Sequence, residues 1–251
     1  MLRLNFGGIV PLSTIDWRGK AALVLFLRGC PLHCLYCHNY ELLSDTRYME
    51  LREFEAALAK NREFIDAVVL SGGEPFMQPL AVEAVARLAR RFELLVGVHT
   101  NGYYPAAVEA ALDQGLIDKL ALDLKAPLAD EPLYARLTGV HGVAARVKQT
   151  LAISCRAAPI FEVVTTVFKQ LVDEAAVMRI AQELESAGAA HHPFIIQQGR
   201  VEHVRDTKLT EDTVYSRTEL LALADAAYRA APLAEVRIRT REAGEEVLPG
   251  G

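Results

Sequence analysis

Short apolar runs alternate with amphipathic stretches along nearly the whole chain. Residues 21–27, Ala-Ala-Leu-Val-Leu-Phe-Leu, are apolar over the length of a strand, and strand-like runs recur at 67–70, 93–98, 117–124, 160–168, 194–197 and 234–240. Between them, apolar residues three and four apart predict helices over 50–61, 80–91, 106–114, 143–154, 174–187 and 218–230. In the first of these, Leu51, Phe54, Ala57 and Leu58 share one face. Gly115 and Gly188 close two of the helices, where a left-handed residue suits the cap. Apolar strands joined by helices predict a parallel sheet covered by helices. The expected fold is therefore α/β: an incomplete six-stranded parallel β/α barrel of partial TIM type, with a short C-terminal helix–strand extension. A single domain is expected over 1–251, with its core at about 19–200, the extension at 201–240 and a mobile tail at 241–251.

The residue types that do chemistry fall at the C-terminal ends of these strands, the edge where parallel α/β folds bind ligands. After the first strand come Cys30, Cys34 and Cys37, spaced C-x3-C-x2-C. After the second stand Gly72, Gly73, Glu74 and Pro75, after the third Thr100 and Asn101, and at the end of the fourth Asp123 and Lys125. Gln197 closes the sixth, with Gln198 as the alternative inward residue. Three close cysteines with no obvious fourth suit an iron–sulfur cluster with one iron left open. The alternative is zinc, with His33 or His38 as the fourth ligand. Cys155, the one other cysteine, reads as an inert thiol. The two glycines allow the backbone close to a ligand, and Glu74 is expected to face an ammonium group. Alternation puts Asp123 and Lys125 on one face.

Composition narrows the picture further. Hydrophobic residues make up 51% of the 251, enough for one large core, and the net charge of −5 argues against a general nucleic-acid binder. No apolar run approaches the ~18 residues of a membrane span, and the first residues lack the pattern of a secretory leader. Clustered cysteines with no disulfide framework fit a reducing cytoplasm.

With these motifs in place, the sequence resembles the radical S-adenosylmethionine superfamily. The cysteine spacing, Gly-Gly-Glu-Pro about 35 residues later and Tyr36 just before the last cysteine carry the likeness. The segment from Gly7 to Lys20, with Ser-Thr-Ile-Asp-Trp-Arg-Gly, is similar to the anaerobic ribonucleoside-triphosphate reductase activating proteins, a glycyl-radical-enzyme activase branch. That branch has an aspartate where this chain has His99, so a monovalent-cation site carried over from it would lack that ligand. His99 itself reads as a core or pocket histidine.

The resemblance implies a 4Fe–4S cluster on Cys30, Cys34 and Cys37 and S-adenosylmethionine bound by Tyr36, Gly72, Gly73, Glu74, Pro75, Thr100, Asn101, Asp123, Lys125 and Gln197. It also implies reductive cleavage of the cofactor to methionine and a 5′-deoxyadenosyl radical. No residue beyond cluster and cofactor needs a catalytic role. The implied partners are a glycyl-radical enzyme as protein substrate and a flavodoxin or ferredoxin as electron donor. Two alternatives stand beside this reading: a radical enzyme acting on a small molecule, RNA or another protein side chain, and a zinc or iron–sulfur binding protein without turnover.

Overall fold

The structure, a computed structural model, describes residues 2–248. Seven parallel strands form its centre: β2 (Ala22–Leu27), β4 (Ala67–Gly72), β5 (Leu95–Thr100), β6 (Lys119–Asp123), β7 (Ile160–Val167), β8 (Phe194–Gln198) and β9 (Val236–Thr240). All seven predicted runs are strands. The seventh pairs in parallel with the sixth, so the expected extension is part of the barrel sheet itself.

Three further strands lie at the edges. β1 (Arg3–Ser13) runs antiparallel to β2 and carries β3 (Tyr48–Glu50) on its far side. At the other edge β10 (Gly244–Leu248) runs antiparallel to β9. This corrects the expected tail: residues 244–248 form a strand, and only 249–251 lie outside the described residues. Its anchors are charges. Glu245 accepts from Arg237 at 2.8 Å and Arg239 at 2.7 Å, and Glu246 from Arg217 at 2.6 Å. The two ends of the ten-strand order, β10 and β3, do not pair with each other, so the barrel is incomplete.

Seven helices cover the outside: α1 (Leu51–Asn61), α2 (Pro79–Arg91), α3 (Pro105–Asp113), α4 (Glu131–Thr138), α5 (Val143–Ala157), α6 (Glu174–Ser186) and α7 (Arg217–Ala230). Only α4 was not foreseen. Proline starts α2 and α3, the Asp130 side chain caps α4, and a Ser216–Glu219 capping box starts α7. Alternate strand residues such as Leu23, Leu25, Val68, Leu70, Val96 and Val98 pack outward into one core with Phe54, Leu58, Val82 and Val85. Burying each such side chain contributes about 1.5–3 kcal/mol.

The opposite strand faces line the barrel, and their N-terminal end is filled. The loop after β1 folds inward and buries Trp17 against Ala22, Val24, Ala67 and Val69. Gly97 gives the ring room, because a Cβ there would come within 3.1 Å of the indole. Above the indole lies the Lys119 ammonium, 5.6 Å from the ring. Lys119 pairs with Glu162 at 2.8 Å, both side chains being about 5% exposed or less. The barrel is thus closed at its base by one aromatic ring and a ladder of paired charges. It stays open at the strand C-terminal ends.

Candidate active site

A cavity of about 290 Å³ opens at the C-terminal ends of the strands. Its wall begins at the loop after β2. Cys30, Cys34 and Cys37 all face it, with Tyr36, His38 and Asn39 beside them. The sequence holds this loop in place through Gly72 and Gly73. The Gly73 N–H donates to the Leu27 carbonyl and the Glu74 N–H to the Gly29 carbonyl, both at 2.8 Å. A Cβ on Gly72 would lie 2.3 Å from the Leu27 oxygen, and one on Gly73 2.1 Å from the Gly29 oxygen. Gly72 also has φ near +118°, a conformation that glycine alone adopts without strain. Both glycines line the cavity, but the close backbone approach they permit is to the cysteine loop. The Gly72 carbonyl accepts from the Asn39 side chain at 3.0 Å.

Glu74 is fully buried and turned away from the cavity. Its carboxylate accepts from the Phe76 N–H at 2.9 Å, the Thr100 hydroxyl at 2.8 Å and the Asn101 N–H at 2.7 Å. This corrects the expectation that Glu74 faces an ammonium group, since its oxygens already hold the ends of β4 and β5 together. Burial pushes its pKa up to about 7, and the three donors pull the other way. Pro75 is likewise buried outside the cavity, at the start of a 3-10 turn.

Thr100 and Asn101 line the cavity. The Asn101 amide donates to the Cys30 sulfur at 3.3 Å. Across the mouth, the Lys125 ammonium donates to Asp123 at 2.6 Å and lies 5.4 Å from the Tyr36 ring centre. Burial alone would lower the Lys125 pKa; the Asp123 carboxylate outweighs it and holds the amine well above its ordinary value. Gln197 and Gln198 both border the cavity. Gln197 accepts from Arg239 at 2.9 Å and donates to Thr166 at 3.2 Å, whereas Gln198 donates to the Tyr215 carbonyl.

Sequence reasoning had passed over Ser71, Ala121, Glu162, Val164, Thr166, Phe168, Arg200 and Arg239 as lining residues. Ala121 lies two residues before Asp123, and Glu162, Val164 and Thr166 alternate along β7, so the period of two could have found them. Arg200 could not be found that way, because it lies in the loop beyond β8. His99 lines the floor, where its ring meets the Asp16 carbonyl at 3.1 Å, and burial lowers its pKa. Cys155 sits half-buried on α5 and does not reach the cavity.

Two observations test which group fits. Among the described residues, no three Cys, His, Asp or Glu side chains converge on a point where one metal ion could sit. The three thiols line one cavity, a donor set that suits an iron–sulfur cluster with one iron left open. Burial raises the pKa of all three, to about 12 for Cys30 and about 11 for Cys34. Neutral thiols are the resting form there, and metal binding would displace their protons. The Tyr36 hydroxyl, beside the cysteines, and one Asp123 carboxylate oxygen are buried without a hydrogen-bond partner among the described residues. Unmatched polar atoms in a pocket bordered by a cationic amine fit a zwitterionic, hydroxyl-bearing ligand.

Comparison with known proteins agrees. A candidate glycyl-radical enzyme activating enzyme of Methanocaldococcus jannaschii is 43% identical over 119 residues, 47% of this chain and 49% of that protein. The pyruvate formate-lyase-activating enzyme of Staphylococcus aureus strain USA300 is 32% identical over 108 residues, 40% and 41% of the two chains. The chain thus spans about half the length of the curated relatives it matches. A radical SAM methyltransferase from Sphaerobacter thermophilus superposes with a TM-score of 0.69 at 15% identity, covering 89% of this chain and 67% of that one. The structure of TYW1 with a lysine–pyruvate adduct bound gives 0.67, also at 15%, over 91% and 80%. At such identities these two share the fold alone. The sequence profile of the Radical SAM superfamily matches residues 24–187, which carry the cysteine loop and the strands from β4 to β7. On that match the chain belongs to the radical SAM superfamily, whose 4Fe–4S cluster and S-adenosylmethionine are the groups its pocket serves.

Proposed function

We propose that this chain is a glycyl-radical-enzyme activase, working as one domain. It would cleave S-adenosylmethionine reductively to methionine and a 5′-deoxyadenosyl radical, which takes an α-hydrogen from a glycine of a partner enzyme such as an anaerobic ribonucleotide reductase. The electron comes from a flavodoxin or ferredoxin, and the setting is the cytoplasm. The observation that carries the chemistry is the convergence of three thiols, the Asp123–Lys125 pair and two unmatched polar atoms on one cavity. Likeness to activating enzymes over 47% and 40% of the chain supports the choice of substrate class.

Each residue then has a task. Cys30, Cys34 and Cys37 hold the cluster, which when bound supplies one-electron reduction of the sulfonium. Lys125 presents a cation to the cofactor's carboxylate, and Asp123 accepts from a ribose hydroxyl or the amino group. Tyr36 offers its ring, and a hydroxyl, to the purine side. Gly72, Gly73, Thr100 and Asn101 shape the wall between, and Glu74 and Pro75 support it from behind.

The test is anaerobic reconstitution, reduction with dithionite and addition of S-adenosylmethionine with a glycyl-radical enzyme. The expected result is 5′-deoxyadenosine together with the doublet of a glycyl radical, both absent in Cys34→Ala. Deoxyadenosine formed without a glycyl radical on any candidate partner would keep the superfamily chemistry and reject the activase assignment.

A further inference from the structure

We propose that Asn101 is a positioning residue for the cluster: its side-chain amide donates a hydrogen bond to the Cys30 thiolate, orients that ligand and raises the cluster's reduction potential. The proposal rests on superfamily membership and needs no particular substrate.

The geometry leaves the amide little choice. Its nitrogen lies 3.3 Å from the Cys30 sulfur, while its oxygen accepts the Tyr103 N–H at 3.0 Å. A backbone N–H can only donate, so the oxygen must face Tyr103 and the NH₂ group the sulfur. The backbone is fixed as well, since the Asn101 N–H donates to the buried Glu74 carboxylate at 2.7 Å. Thr100 donates to the same carboxylate and accepts from the Gly102 N–H at 3.0 Å. Asn101 is 8% exposed, so water does not compete strongly for the bond. The Leu32 N–H also approaches the Cys30 sulfur, at 3.4 Å. That backbone donor lies within the cysteine loop itself, whereas the Asn101 donor is delivered from β5, across the sheet.

A hydrogen bond to a ligating sulfur draws electron density from it and favours the reduced, more negative cluster; such bonds are among the determinants of iron–sulfur potentials. Glu74, Thr100 and Asn101 therefore act as one device. Glu74 sets the backbone at the end of β5, and Asn101 carries that setting to one cysteine.

The experiment is a redox titration of the reconstituted protein, followed by the spectrum of the reduced cluster, with iron content measured alongside. Asn101→Leu removes the donor at similar volume. It should load iron to the wild-type level and shift the midpoint potential to more negative values. Asn101→Asp keeps the acceptor for Tyr103 but offers the sulfur an oxygen, and should shift it at least as far. Wild-type potentials in both loaded variants would overturn the proposal. So would failure of both to take up iron, since a bond that only orients and tunes can be lost while three thiolates remain. A wild-type protein that takes up no cluster would defeat the superfamily chemistry as a whole, a separate outcome.

Discussion

Glu74 illustrates how a motif residue can brace the wall of a cavity from behind. Three donors converge on a carboxylate with no exposure to solvent. Glu74→Gln would turn an NH₂ group toward at least one of them, and we expect a loss of about 1–3 kcal/mol in denaturant unfolding of the cluster-free protein. The pH dependence has a definite sign. The folded pKa is raised from 4.5 to about 7, so between those values the folded state binds more protons than the unfolded one. Stability from this group then falls as pH rises through that window, with a slope of at most about 1.4 kcal/mol per pH unit. Glu74→Gln should remove that component; a wild-type slope in the variant would show that Glu74 titrates normally. The sequence made Glu74 conspicuous but not its direction, because two of the side chain's three partners, Thr100 and Asn101, lie 26 and 27 residues away. Gly72 and Gly73 were legible as sites of close approach. What they approach depends on the register of β2 beside β4, which no local pattern encodes.

Among the elements, those with apolar patterning were readable and those held by charge or by bulges were not. β1 contains Gly7, Gly8 and Pro11, all strand breakers, and pairs with β2 in a register that shifts twice, once near the glycines and once past Val10. β10 reads as a polar tail because Arg237, Arg239 and Arg217 bind it through carboxylates. The short α4 carries its cues at the two ends, Asp130 as cap with Pro132 in the first turn and the left-handed Gly139 after the last. The paired charges within the barrel make a prediction at this scale. Lys119→Met should destabilise by about 3–5 kcal/mol, because it leaves the Glu162 carboxylate buried without its nearest cation. Lys119→Met with Glu162→Leu should recover much of that loss in thermal unfolding. If the double variant is no better than the sum of the singles, the pair is not coupled.

At the scale of the whole molecule, the period of the apolar runs was enough to give a partial barrel and to name the edge that carries chemistry. It could not show that the other end is stoppered. Trp17 was noticed only within a segment of resemblance, and its role emerged from Gly97 beneath it and Lys119 above. Trp17→Ala should cost about 3–5 kcal/mol in unfolding free energy. It should also admit solvent to the cavity floor, seen as faster hydrogen exchange at the first residues of β2 and β4. Unchanged exchange there would mean that the charge ladder seals the barrel without the indole.

The stopper also has a kinetic consequence. A vessel sealed at its base has one door, and whatever enters first leaves last. With the proposed protein partner seated on the mouth, a spent small molecule beneath it would be locked in until the partner departs. Each encounter would then yield a single turnover, with cofactor bound before partner in a compulsory order. Initial-rate patterns would show this as partner-dependent trapping of cofactor products.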